Sequence, residues 1–191
     1  MVLPVTALLE SPAIRQQVHL MSIDEYHRAG LTGVFSDDVE LLRGIVVTKM
    51  PKSPLHELVA DQLMDILLAQ LPNDFKVRRA GPLTLRDSEP EPDISVIQGK
   101  RDDWAKAHPS TAQLVIEVAV TSKAVDHSKA EIYAEAGISE YWLVIPEERI
   151  VEVYCEPARD HYLSKRTLGE HDILRSAGIA GLEFSIAEIL P

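Results

Sequence analysis

Apolar residues recur at helical spacing over one long stretch. Leu55, Leu58, Val59, Leu63, Ile66, Leu67 and Leu71 fall three or four apart, with Ser53 placed as N-cap, Pro54 at the first helical position and Pro72-Asn73 as a stop. A shorter helix is expected after Ser22, a good N-cap followed by Asp24 and Glu25 where the helix dipole favours acids, ending at Gly30 and Gly33. Val39–Leu42 and Ile45–Thr48 flank Arg43-Gly44 and read as a β-hairpin. The rest is mostly short strands: Phe75–Arg79, Leu83–Arg86, Asp93–Ile97, Leu114–Val120, Tyr141–Ile145, Ile150–Tyr154 and Tyr162–Arg166. One helix, His127–Ala136 with Gly137 as its C′ residue, interrupts them. Leu114–Val120 and Tyr141–Ile145 are nearly continuous apolar runs, the pattern of central strands covered on both faces. The fold class is therefore α/β (α+β): a mixed central β-sheet flanked by helices, with additional antiparallel strands near the end.

Met1–Ser11 carries the apolar run Val2–Leu9, but it has no basic segment before it, Pro4 interrupts it and no small-residue cleavage site follows. Residues 1–20 read as an N-terminal arm and 21–191 as a single domain, in keeping with a length of 191 residues. A single cysteine, Cys155, excludes a disulfide framework and a cysteine-rich zinc site. No apolar run approaches the roughly 18 residues of a membrane span. These features point to a cytoplasmic protein with no membrane contact. The formal charge of −11 has the wrong sign for gripping nucleic acid by bulk attraction, so such contact would be weak or local. Arg78, Arg79, Arg86, Lys100 and Arg101 cluster around one strand and form either a phosphate track or a solvated sheet edge.

Several chemistries are excluded by spacing. His56-Glu57-Leu58-Val59-Ala60 begins like a zinc-protease helix but has Ala60 where the second histidine belongs. There is no phosphate-binding glycine loop and no Gly-x-Ser-x-Gly elbow. What remains is Pro92-Asp93 at the start of one strand, Glu117 inside the most apolar strand, and Lys129 on the following helix beside Asp126 and Tyr133. An ionised Glu117 in that setting either reaches a solvated edge, pairs with an arginine, or binds a cation. Asp93 offers a second carboxylate. Two converging carboxylates raise each other's pKa unless a cation sits between them. Two acids and a lysine are the minimum set for Mg²⁺-assisted phosphodiester hydrolysis.

Pro92-Asp93 followed after 23 residues by Glu117 in a hydrophobic strand resembles the PD-(D/E)XK restriction-endonuclease-like superfamily. The resemblance is closer to one bacterial branch, the Uma-two family of endonuclease-like proteins. It runs from Ser22-Ile23-Asp24-Glu25-Tyr26-His27 through Val39–Val46, Pro54-Leu55-His56 and Glu91-Pro92-Asp93 to Leu114–Ala119. It closes with Asp126-x-x-Lys129-x-x-x-Tyr133 and Ala136–Val144. The ordered set, not any short string, carries it.

The resemblance implies a restriction-endonuclease-like core and a Mg²⁺- or Mn²⁺-dependent endonuclease acting on nucleic acid, DNA rather than RNA. Asp93, Glu117 and the backbone carbonyl of Val118 would hold the metal. The superfamily expects a lysine two positions after the acid, where this chain has Ala119. In this branch the lysine is relocated to the next helix, which makes Lys129 the candidate, assisting the water or the transition-state charge. Asp126 and Tyr133 either orient Lys129 or merely cap and pack the helix. Glu40 and His56 complete the implied catalytic pocket, against the plainer readings of an exposed strand residue and a helix-start histidine. The rival reading is a non-catalytic binding or assembly module of the same fold. It would be homodimeric through Ile150–Tyr154 or the apolar tail Ile186–Leu190, with a vestigial carboxylate pocket.

Overall fold

The computed structural model describes residues 11–35 and 38–191. A single helical turn, α1 (Pro12–Arg15), precedes α2 (Ile23–Leu31), and the rest of the proposed arm, residues 1–10, lies outside the described residues. Ser22 and Glu25 form a reciprocal capping box at the start of α2. A two-stranded hairpin follows, β1 (Val39–Leu42) and β2 (Ile45–Thr48), then α3 (Pro54–Gln70), capped by Ser53. Six strands form the main sheet: β3 (Phe75–Arg79), β4 (Ile94–Gln98), β5 (Leu114–Val118), β6 (Glu140–Ile145), β7 (Ile150–Ala158) and β8 (His161–Gly169). They lie in that spatial order, with β5 and β6 parallel and the other neighbours antiparallel. The β5–β6 crossover is α4 (Lys123–Glu135). A small pair, β9 (Ile173–Arg175) and β10 (Glu183–Ser185), ends the chain.

Residue parity divides the sheet into two buried faces. Leu114, Ile116 and Val118 of β5, with Ile94 and Val96 of β4, pack beneath Val59, Ala60, Leu63 and Leu67 of α3. Val115 and Ala119, with Ile97, Tyr141 and Leu143, face Ile132 and Tyr133 of α4. Alternation along β5 therefore aims Glu117 at the α4 side. Ile94 stands opposite Ile116, and one step further along that register brings Asp93 opposite Glu117. The chemistry thus stands where β4 begins and its neighbour β5 ends.

The differences from the sequence reading have local causes. Leu83–Arg86 pairs with no strand, although Leu83 and Leu85 are buried. Leu83 N–H donates to Pro90 O and Leu85 N–H to Ser88 O, so the alternating stretch folds back on itself as a loop. Helix α4 begins at Lys123, four residues before the expected start. The tail closes its own core: Ile186, Ile189 and Leu190 are buried with Phe184, whose ring meets the edge of fully buried Trp142. Strand β7 is flanked by β6 and β8. Both segments offered for two-fold pairing are thus used within the chain.

Glu140 is fully buried and ties the C-terminal loop to β6, accepting from Ser176 Oγ (2.6 Å), Ala177 N–H (3.1 Å) and Gly178 N–H (3.4 Å). Glu140→Ala leaves those donors without their acceptor and should lower stability by about 1–3 kcal/mol, read as a lowered urea midpoint.

Candidate active site

Three acids from three different elements meet below α4. Asp93, one residue before β4, is buried; its Oδ2 accepts from Val118 N–H (2.9 Å) and His56 Nε2 (2.9 Å). Glu117 Oε2 accepts from the Asp93 backbone N–H (3.1 Å), so each acid is braced by the other's strand. Glu117 Oε1 accepts from Lys129 Nζ (3.0 Å) and Tyr133 Oη (2.9 Å). Glu40 arrives from the hairpin: its Oε1 lies 3.0 Å from Lys129 Nζ and its Oε2 accepts from Glu91 N–H (3.1 Å). Asp126 Oδ1 is 3.6 Å from Lys129, three residues on along α4, and its Oδ2 accepts from Ser122 Oγ.

These contacts follow from local rules. Positions 126, 129 and 133 are three and four apart on α4, hence on one helical face, and that face covers Glu117. His56 sits in the first turn of α3, where the Ser53 cap accepts its backbone N–H (3.2 Å) and fixes the entry of the helix. The hairpin is held by a bridge between Leu41 and Glu89.

All the side chains singled out from the sequence, Glu40, His56, Asp93, Glu117, Asp126, Lys129 and Tyr133, are brought together. Tyr133 Oη donates to Glu117 Oε1, so its hydrogen bond braces the acid where the sequence suggested the lysine. Val118 contributes its N–H to Asp93 while its side chain joins the α3-side core.

Lys52 was missed. Its Nζ lies 3.1 Å from Asp93 Oδ1, and its side chain is 39% exposed against 6% for Lys129. It stands in the loop before the Ser53 cap, where no periodicity marks a position, and its nearness in sequence to His56 was the available signal. The suggested phosphate track is broken. Arg79 is paired with Glu57 and Asp61, Arg86 with Asp87 and Glu135, and Arg78 donates to Pro82 O. Lys100 and Arg101 follow the far end of β4 from Asp93.

The charges are unevenly met. Glu40, Asp93, Glu117 and Asp126 are all buried. Burial pushes the Glu117 carboxyl well above the ordinary range; Lys129 opposes the rise, and Asp126, Asp93 and Glu40 add to it. Burial also raises Asp126, against Lys129 and Ser122. Asp93 goes the other way. Burial works to raise it, yet the His56 hydrogen bond and charge, the Val118 N–H and Lys52 together hold it down at about 2. Burial would lower Lys129, but Glu117, Glu40 and Asp126 keep its ammonium charged beyond the ordinary lysine range. A cavity of about 270 Å³ opens onto this cluster, with Lys49 and Lys52 also on its wall.

Residues 24–187 match the model of the Uma2 family, described as "Putative restriction endonuclease". The chain belongs to the Uma2 family. No curated protein matches this Uma2 sequence. Among solved structures it is similar to "a putative nuclease belonging to DUF820 from Anabaena variabilis ATCC 29413", a crystal structure at 1.96 Å. The TM-score is 0.69 at 16% identity, over 88% of this chain and 97% of that one. At that identity the likeness concerns the fold: the six-stranded mixed sheet flanked by helices is shared with a nuclease-fold protein. The family resemblance read from the motifs thus holds over most of the chain.

Restriction-endonuclease-like families generally use divalent metals, and the donor set of this Uma2 chain fits one. No group of three or more His, Cys, Asp or Glu side chains among the described residues is arranged as a metal cage. Mg²⁺ does not demand one; it is commonly bound through one or two carboxylates, with waters and substrate phosphates completing its shell. Asp93 and Glu117 supply two hard carboxylates on neighbouring strand ends. The four buried acids face one buried ammonium, Lys129, and one half-exposed one, Lys52. Hard oxygen donors grouped in this way suit a divalent cation, which would also favour the ionised form of Glu117.

Proposed function

We propose that this Uma2 protein is a divalent-metal-dependent endonuclease that hydrolyses phosphodiester bonds of nucleic acid with water as nucleophile. The convergence of Asp93 and Glu117 at the floor of an open cavity carries this reading. Asp93, Glu117 and the carbonyl of Val118 would hold Mg²⁺ or Mn²⁺. Bound there, the ion supplies Lewis acidity toward a phosphate oxygen and lowers the pKa of the attacking water. His56 keeps Asp93 ionised and aimed. Tyr133 and Lys129 fix Glu117 Oε1, leaving the carboxylate one orientation. Lys129 offsets the charge of Glu40, Glu117 and Asp126, so that the three can be buried side by side. Glu40 anchors the hairpin wall of the cavity through the same ammonium. The family description, a restriction endonuclease, favours DNA over RNA as substrate.

The test is cleavage of plasmid and of single- and double-stranded oligonucleotides, with and without metal. Wild type should cut in Mn²⁺ or Mg²⁺, lose all cutting in EDTA, and regain it when Mn²⁺ is restored in excess. No cleavage of any substrate, despite Mn²⁺ binding shown by calorimetry, would overturn the reading in favour of a non-catalytic binding module.

A further inference from the structure

We propose that Lys52, not Lys129, is the ammonium that meets the phosphate of the substrate, and that it competes with the metal for Asp93 beforehand. This rests on the nuclease reading of the same cavity. The two lysines are placed for different work. Lys129 has carboxylate oxygens of Glu40 and Glu117 at 3.0 Å and of Asp126 at 3.6 Å, with 6% of its side chain exposed. Its three N–H bonds have three acids to serve. Reaching a phosphate would strand all three in the interior, a costly exchange. Lys49, the other lysine on the cavity wall, is paired with Glu91 at 3.0 Å.

Among the described residues Lys52 has one acid contact, Asp93 Oδ1 at 3.1 Å, and its half-exposed side chain lines the cavity. With 39% of its side chain exposed, Lys52 can leave that contact for water, an exchange closed to buried Lys129. The loop that carries Lys52 is anchored at both ends: Lys49 N–H donates to Asp38 O (2.9 Å) on one side, and the Ser53 cap opens α3 on the other. The ammonium therefore swings on a short anchored loop over the carboxylate that would hold the ion. A divalent cation and Lys52 want the same Asp93 oxygen. Binding of the cation frees the ammonium, and a non-bridging phosphate oxygen of the scissile strand is the anion within its reach. No bond to Lys52 forms or breaks; it passes from one anion to another. The lysine missing at Ala119 is supplied, on this view, from the loop before α3.

The signature is a pair of effects with opposite signs. Lys52→Ala should bind Mn²⁺ about threefold or more tightly by calorimetry, because a competing cation is gone. In Ca²⁺, it should bind a 20-base-pair DNA duplex about tenfold more weakly, with the salt slope reduced by about one. Cleavage in Mn²⁺ should fall at least about thirtyfold, with most of it retained in Lys52→Arg. The melting temperature should stay within about 2 °C of wild type, since the side chain is half exposed. Weaker Mn²⁺ binding by Lys52→Ala would make Lys52 a support of the metal site and overturn the proposal. So would unchanged DNA binding in Ca²⁺. If wild type never cuts but its DNA affinity depends on Lys52 as stated, the phosphate contact stands and the hydrolytic reading alone falls.

Discussion

Glu117→Gln should stop cleavage while leaving the protein folded. The amide keeps the shape of the carboxylate and an oxygen that can accept from Tyr133 or from the Asp93 N–H, but it removes the charge that would hold a divalent ion. A loss on the order of 10³-fold in rate is expected, about 4 kcal/mol of transition-state stabilisation. Stability should change little. Glu117 is a buried acid whose ionisation the fold opposes, and Lys129 still has Glu40 and Asp126 within ion-pair reach. The measurement is single-turnover cleavage in Mn²⁺ beside a melting curve. Equal cleavage by wild type and variant would trace the activity to a contaminant.

Lys129→Ala should behave in the opposite way, as a folding variant. It leaves Glu40, Glu117 and Asp126 buried together without their shared cation. Breaking a buried ion pair from one side costs about 3–5 kcal/mol. The deficit should depend on pH. Folding raises the carboxyl pKa of both Glu117 and Asp126, burial being the largest cause in each. The folded state therefore binds these protons more tightly than the unfolded chain, so their contribution favours folding at low pH and is lost as pH rises through the raised values. Without Lys129 to oppose it, that loss deepens. Urea midpoints in EDTA should thus show a larger gap from wild type at pH 8 than at pH 5. A gap equal at both would assign the effect to lost packing of the lysine stem.

The contrast explains what could be read from the chain alone. Glu117 was visible because a charged residue breaks an apolar run, and Lys129 because helical spacing ties it to Asp126 and Tyr133. The parity that puts Asp93 opposite Glu117 needed only two strands and a register. The missed features share a different cause. Strands β9 and β10 are three residues each, too short to show alternation. Leu83 and Leu85 alternate because they are buried, and burial without a ladder looks the same in sequence. Helix α4 begins at Lys123 after an N-cap, Ser122, whose side chain serves Asp126 and makes no cap bond. Lys52 owes its position to the path of a loop. Arg79 and Arg86 looked like a phosphate track because Glu57 and Asp61, which pair with the first, and Glu135, which pairs with the second, come from other elements.

The crossover between the two parallel strands has a bearing on how this protein comes into being. Glu40 and Lys129 are 89 positions apart, and α4 is the last element to contribute to the cluster. A nascent or clipped chain that stops before Lys123 has Glu40 and Glu117 without the ammonium that they share in the finished fold. In such a fragment Lys129 does not offset their repulsion. The acid cluster is therefore completed only when α4 closes over it, and on the proposed nuclease reading a half-made copy should not cut.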